Sequence, residues 1–273
     1  MLKWIRQWRR NGTPAELDDA ALKRWQARID RLPILAGLPP ATHHELMNLG
    51  WQFVQHKRFT PVCGAELTNE HCIDIALQAA LPVLRLGPGA YGHFHELLIY
   101  PEDFVSPRHY VDDAGVEHLS EEALSGEAWE QGPVLLSLSE LDYSGDWDGF
   151  NLVIHELAHK LDIANGGLAN GHPNLPVSLR ASWSATFHTA YQAHCDAVDA
   201  AELRGDWLGV WIDPYGADSE PEFFAVAVEA FFTDPIALNH GFPALYSAMA
   251  TLFSQDPLPR APKWTPWPQS AIE

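Results

Sequence analysis

Residues 151–167 read NLVIHELAHKLDIANGG, and the placing of His155, Glu156 and His159 within them decides how the rest of the chain is read. An α-helix turns about 100° per residue, so with His155 at the origin His159 falls near 40° and Asp162 about 20° to the other side. Three polar groups therefore share one face. Val153, Ile154, Leu157, Ala158 and Leu161 form a continuous apolar back. A helix with that back is half buried and presents two imidazoles, one turn apart, to a cleft. Two such nitrogens suit adjacent corners of a tetrahedral zinc site, and Glu156, offset by about 100°, is placed to act on water as a general base. A chance HExxH is expected about 0.05 times in a chain of this composition. The string alone is suggestive, and the apolar back argues against a surface helix with two solvated histidines.

A catalytic zinc needs a third protein ligand and an open position. The extension HExxHxxGxxH fails, because Asp162 stands where Gly is required and Asn165 where the third His belongs. A downstream Glu followed four residues later by Asp also fails, because Val226 follows Glu222. The remaining candidates lie in DPYGADSEPEFFAVAVEAFF, residues 213–232. Glu222 and Glu229 are seven apart, on one helical face, amid Phe223, Phe224, Val226, Ala227, Ala230 and Phe231. A carboxylate in such surroundings needs a partner, and a cation would serve. Ser219-Glu220-Pro221-Glu222 equally fits a capping box, with Ser at the cap and Glu at the third helical position. On pattern alone, ligand and cap stand even. Asp162 is a candidate for holding a ligating His by its second nitrogen, against a surface ion pair, and Glu229 competes for that role.

The chain has 273 residues, 47% of them hydrophobic and 11 of them Trp, enough for a large core without disulfide staples. Its 17 Lys/Arg against 36 Asp/Glu leave a formal net charge of −19, which argues against direct binding to nucleic acid or an anionic membrane. Positive charge gathers at the start, where MLKWIRQWRRNGTP carries Arg6, Arg9 and Arg10 beside Trp4 and Trp8. No apolar stretch follows of the kind a signal peptide or membrane span requires, so the expectation is a soluble, cytoplasmic protein. Cys63, Cys72 and Cys195 lack CxxC spacing and read as reduced structural thiols. His93 and His95 lack a clear acidic or Cys partner beyond Glu96 and make a weak second metal site.

Helical patterns cover residues 14–31, with Thr13 as cap, 40–57, and 68–81 opened by Thr68. After LGPGAYG the pattern turns to short strands, in FHELLIYP, in RHYVDDAGVEHL with a turn at Asp113–Gly115, and in GPVLLSLSEL. GPVLLSLS is read either as an edge strand offering its backbone to an extended peptide or as an ordinary core strand. Helices then return near 149–163, 177–203, 219–232 and 243–254 before the Pro-rich DPLPRAPKWTPWPQ. The layout is α+β: an amino-terminal helical lobe (1–90), a zincin-like core with the HELAH helix and a small β-sheet (91–255), and a carboxy-terminal tail (256–273).

HELAHKLD, together with GEAWEQGPVLLSLSE, IALQAALPVL, YP-x-x-F at Tyr100–Phe104 and DPYG followed by EFFAVAVEAFF, resembles the Mlc titration factor A family of bacterial zinc peptidases. The catalytic core of that family is similar to anthrax lethal factor, and the similarity covers about residues 50 to 255. The resemblance implies one zinc per chain held by His155, His159 and Glu222, with Glu156 as general base. It also implies that Tyr215 lies beside the metal, where a phenol donates a hydrogen bond to a developing oxyanion. It further implies aminopeptidase activity on small peptide substrates and binding to the glucose repressor Mlc, which lifts repression of sugar uptake. The runner-up from another class is a regulatory protein that sequesters such a repressor, its zinc site vestigial or self-inhibited. A purely structural zinc fits poorly, since it leaves Glu156 idle.

Overall fold

The computed structural model describes residues 17–92, 94–102, 104–111, 117–124, 126–128, 132–166 and 168–262, the strands between 104 and 128 by their backbone alone. Thr13, Trp4, Trp8, Arg6, Arg9, Arg10 and His93 lie outside these residues. Helix α1 (Asp19–Ile29) is capped by Asp18, which accepts from Ala21 N. Helix α2 (Pro40–His56) starts on Pro, whose fixed φ suits a first turn. Strand β1 (Arg58–Pro61) leads to helix α3 (Asn69–Ala80), closed at its start by a reciprocal capping box between Thr68 and His71.

Strands β2 (Glu96–Tyr100), β3 (Phe104–Val111), β4 (Glu117–Leu124), β5 (Gly126–Ala128) and β6 (Val134–Ser137) follow. Three of them join β1 in one sheet in the order β1-β2-β6-β5, parallel except for β5, while β3 and β4 pair as a separate antiparallel hairpin. β6 is thus flanked on both sides and is no edge strand; the short β5 takes that place. The reason lies in its composition: all four β6 residues are buried, and an apolar run buried on both faces belongs inside a sheet.

A one-turn helix α4 (Leu138–Leu141) precedes helix α5 (Leu152–Ile163), which carries HELAH. Helix α6 (Trp183–Arg204) begins later than its pattern predicts, because Trp183 is drawn into the core and donates from Nε1 to Gly171 O at 2.8 Å, leaving residues 177–182 as turns. Helix α7 (Glu220–Thr233) is buried at every position from Phe223 onward, as a helix apolar all round must be. Helix α8 (Pro235–Gly241), absent from the sequence expectation, is opened by the Asp234 cap and Pro235, and α9 (Pro243–Phe253) follows. A single set of buried apolar contacts runs from Trp25 to Phe253 and so joins the helices on both sides of residue 90. Beyond α9, Arg260 ties the tail to the opening helices by donating to Ile34 O and Ala36 O at 2.8 and 3.0 Å. Among the described residues no helix is long and apolar enough to cross a membrane, and the three cysteines are free thiols.

Candidate metal centre

Asn151 starts the central helix: its Oδ1 accepts from Ile154 N at 3.0 Å, satisfying an otherwise orphaned donor. Leu152, Val153, Ile154, Leu157, Ala158 and Leu161 are then buried, as the helical wheel requires, while His155 and His159 remain half-buried on the open face. Their ring centroids are 5.1 Å apart. α7 crosses this face and brings Glu222 Oε2 to 3.2 Å from His155 Nε2 and 3.2 Å from His159 Nε2. The three candidate ligand atoms lie within 4.8 Å of one another. Ligands on a tetrahedral zinc with bonds near 2.05 Å sit about 3.3 Å apart. The two nitrogen-to-oxygen separations match that spacing, and the N,N,O donor set is one zinc accepts.

Glu222 divides its atoms between the cap and the histidines. Its backbone N–H donates to Ser219 Oγ at 3.4 Å, so Ser219 caps α7, but its carboxylate faces the histidines and leaves the reciprocal half of the box unmade. Burial alone would push the Glu222 carboxyl up; hydrogen bonds and charge from His155 and His159 outweigh it and hold the group well below the usual carboxylate range. Behind His155, Glu229 Oε2 accepts from Nδ1 at 3.1 Å. That bond places a proton on Nδ1 and points Nε2 at Glu222. Burial lowers the His155 imidazolium, but the bonds to Glu222 and Glu229 prevail and raise it well above its ordinary range. Burial pushes the Glu229 carboxyl up, against the pull of His155 and Asn151.

Glu156, between the two histidines in sequence, is 2% exposed. Lys160, one turn further, is 1% exposed and donates from Nζ to Gly132 O at 3.0 Å, tying α5 to the start of β6. Burial pushes its ammonium down to about 8, with the charge of Glu156 opposing that fall. Tyr215 sits in a 3₁₀ turn (Pro214–Ala217) whose cap, Asp213, accepts from Tyr215 N at 2.9 Å. Its ring lies 6.2 Å from that of His155, and the residue is 40% exposed. The turn is held from beneath by the buried His194 of α6, whose Nε2 lies 3.1 Å from Asp213 O.

The comparisons with known proteins meet this geometry. A family described as glucose-regulated metallo-peptidase M90 matches residues 5–254. The chain belongs to this family. M90 members are metallopeptidases by that description, which implies a metal, and the His/His/Glu set is a group that could hold one. This M90 chain is 39% identical to Mlc titration factor A of Yersinia pestis (strain Pestoides F) over 266 residues, covering 97% of this chain and 94% of that protein. The same figures hold for Mlc titration factor A of Yersinia pseudotuberculosis serotype O:1b (strain IP 31758).

Asp162 of the M90 chain has a different task from the one its helical position suggests. Its Oδ2 accepts from Asn170 N and Gly171 N, and its Oδ1 from His172 N, all at 2.8 Å, so it organises the loop after α5; the carboxylate bonded to a histidine of the set is Glu229. The loop needs that anchor because Gly171, at φ +72°, passes so close to Phe187 that a Cβ would overlap the ring. Burial pushes the Asp162 carboxyl up while the three amides hold the rise in check. Asp162→Ala would leave the N–H groups of Asn170 and Gly171 without their acceptor, while His172 N keeps Asn170 Oδ1 at 3.2 Å, and is expected to destabilise the fold by on the order of 2 kcal/mol. Denaturant unfolding measures this; unchanged stability with weakened metal binding would return Asp162 to the histidines. Sequence reasoning did not single out Asn151, Gln78, Lys160 or His194. Only Asn151 carried a signal, as a cap-type residue directly before an apolar run.

Proposed function

We propose that this chain is a zinc-dependent peptidase of aminopeptidase type, with His155, His159 and Glu222 as zinc ligands. The observation that carries the reading is the convergence of His155 Nε2, His159 Nε2 and Glu222 Oε2 beside the buried Glu156. Zinc held there supplies the Lewis acid that activates water at neutral pH. Glu156 takes the proton of the attacking water and delivers it to the departing amine. Glu229 keeps the His155 ring in register. The Tyr215 hydroxyl donates a hydrogen bond to the oxyanion that forms from the scissile carbonyl. An exposed ring on a capped turn beside His155 supports that role, because it can reach a bound peptide without displacing the core. The net charge of −19 favours substrates with a free, positively charged amino terminus.

Tyr215→Phe tests the assignment most directly. It should lower kcat by about 10-fold to 10³-fold with zinc content and KM largely preserved, because the bond forms mainly in the transition state. A change confined to KM would reassign Tyr215 to substrate placement.

A second reading is favoured by the names of the relatives: the chain also binds an Mlc-like transcriptional repressor, acting in the cytoplasm where such a repressor meets DNA. Glu156→Gln separates the two roles. It should cut turnover sharply yet still retain the repressor in a pull-down, if the docking surface is distinct from the cleft.

A further inference from the structure

Gln78 lies near the end of α3, among helices that precede the candidate metal centre by some seventy residues, and it is fully buried. A buried primary amide must find partners for both ends, and the partners of Gln78 lead to the metal centre. Its Oε1 accepts from Asn151 Nδ2 at 2.6 Å, and its Nε2 donates to Asp74 O at 3.2 Å. Asn151 in turn donates its backbone N–H to Glu229 Oε1, and the other oxygen of Glu229 accepts from His155 Nδ1. An unbroken run of hydrogen bonds, buried as far as Glu229, therefore links Gln78 through Asn151 and Glu229 to His155.

The polarity of that run admits one arrangement. Ile154 N–H can only donate, so Asn151 must offer it Oδ1, which turns Nδ2 toward Gln78. Gln78 must then present Oε1 to Asn151, which leaves Nε2 for the Asp74 carbonyl, a group that can only accept. Neither amide can flip without stranding a buried donor or acceptor, at a cost greater than one lost bond. The far end is fixed as well, since the Asp74 carboxylate pairs with Arg28 of α1, Nε to Oδ1 at 2.6 Å.

We propose that Gln78 is a positioning residue of the metal centre: it locks Asn151, which seats Glu229, which orients His155. The proposal rests on His155 being a zinc ligand. Groups that orient ligands from behind are typically worth 10- to 100-fold in metal affinity, and Gln78, two links removed, belongs at the lower end.

The test is zinc competition against a chromophoric chelator, using the full chain. Gln78→Met fills the same space without polar atoms and should bind zinc about 10-fold more weakly. Gln78→Glu keeps an acceptor for Asn151 and should recover most of that loss. Asn151→Ser keeps the helix cap but cannot reach Gln78; it should weaken zinc binding as Gln78→Met does and serves in its place if that variant does not fold. Because the effect travels through Glu229, Gln78→Met added to Glu229→Gln should cost little beyond Glu229→Gln alone. A residue that only supports the fold would lower the unfolding midpoint without this non-additivity in metal affinity. The proposal is overturned if Gln78→Met and Asn151→Ser bind zinc like the unaltered chain, or if Gln78→Met and Glu229→Gln lose affinity additively. Failure of the unaltered chain to bind zinc, or full affinity in His155→Ala, would be the distinct failure of the metal-centre reading itself.

Discussion

Glu156→Gln should keep a full complement of zinc while peptide hydrolysis falls by about 10²-fold to 10⁴-fold, the range expected when a general base is removed. The substitution is nearly isosteric and Glu156 is 2% exposed, so the helix around it should repack little. What changes is the ability to take a proton. The His/His/Glu set does not include Glu156, and metal content should therefore be indifferent to it. Elemental analysis beside turnover of aminoacyl and internally quenched peptides measures both halves. Near-normal turnover would remove Glu156 from the mechanism, and loss of zinc would make it a ligand.

His159→Ala should weaken zinc binding by well over 100-fold, more than the loss of an orienting group behind a ligand, and His155→Ala should do the same. Each takes one corner from a three-residue set, and neither Asp162, committed to loop amides, nor Glu229, committed to Asn151, is free to replace it. Glu222→Gln belongs with them: a cap at this position tolerates Gln, whereas a ligand does not. Its backbone bond to Ser219 survives the change, so stability without metal should hold while affinity drops. Zinc retained at full stoichiometry in both histidine variants would end the zincin reading.

The HELAH helix was legible in sequence because its chemistry and its burial repeat with one period, and both are local. Its apolar back is buried and its two histidines are half-buried, as the wheel drawn on residues 151–163 requires. Glu222 was half legible. Pattern could not choose between cap and ligand because the alternatives use different atoms of one residue: in the fold the N–H meets Ser219 while the carboxylate faces the histidines. β6 shows the same limit at the level of the sheet. An apolar run of four residues specifies a buried strand, but whether another strand covers its flank depends on where β5 returns, and that is a matter of long-range pairing.

What the sequence determined by itself is therefore the set of local commitments: the α+β order, the helix starts at Thr68 and Ser219, two imidazoles one turn apart, and an acidic chain rich in apolar core residues. Only the tertiary structure decided which carboxylate stands behind which nitrogen. Asp162 and Glu229 were competing candidates in the sequence, yet the loop at residues 170–172 claims the first, and the crossing of α5 by α7 delivers the second to His155. Gln78 had no sequence signal at all, since a polar residue inside a helix looks the same whether it meets water or Asn151. The physical reason is common to all three: helix and strand formation follow from spacing along the chain, whereas the partner of a buried polar group is whatever folding brings within hydrogen-bond reach, and buried groups must find one.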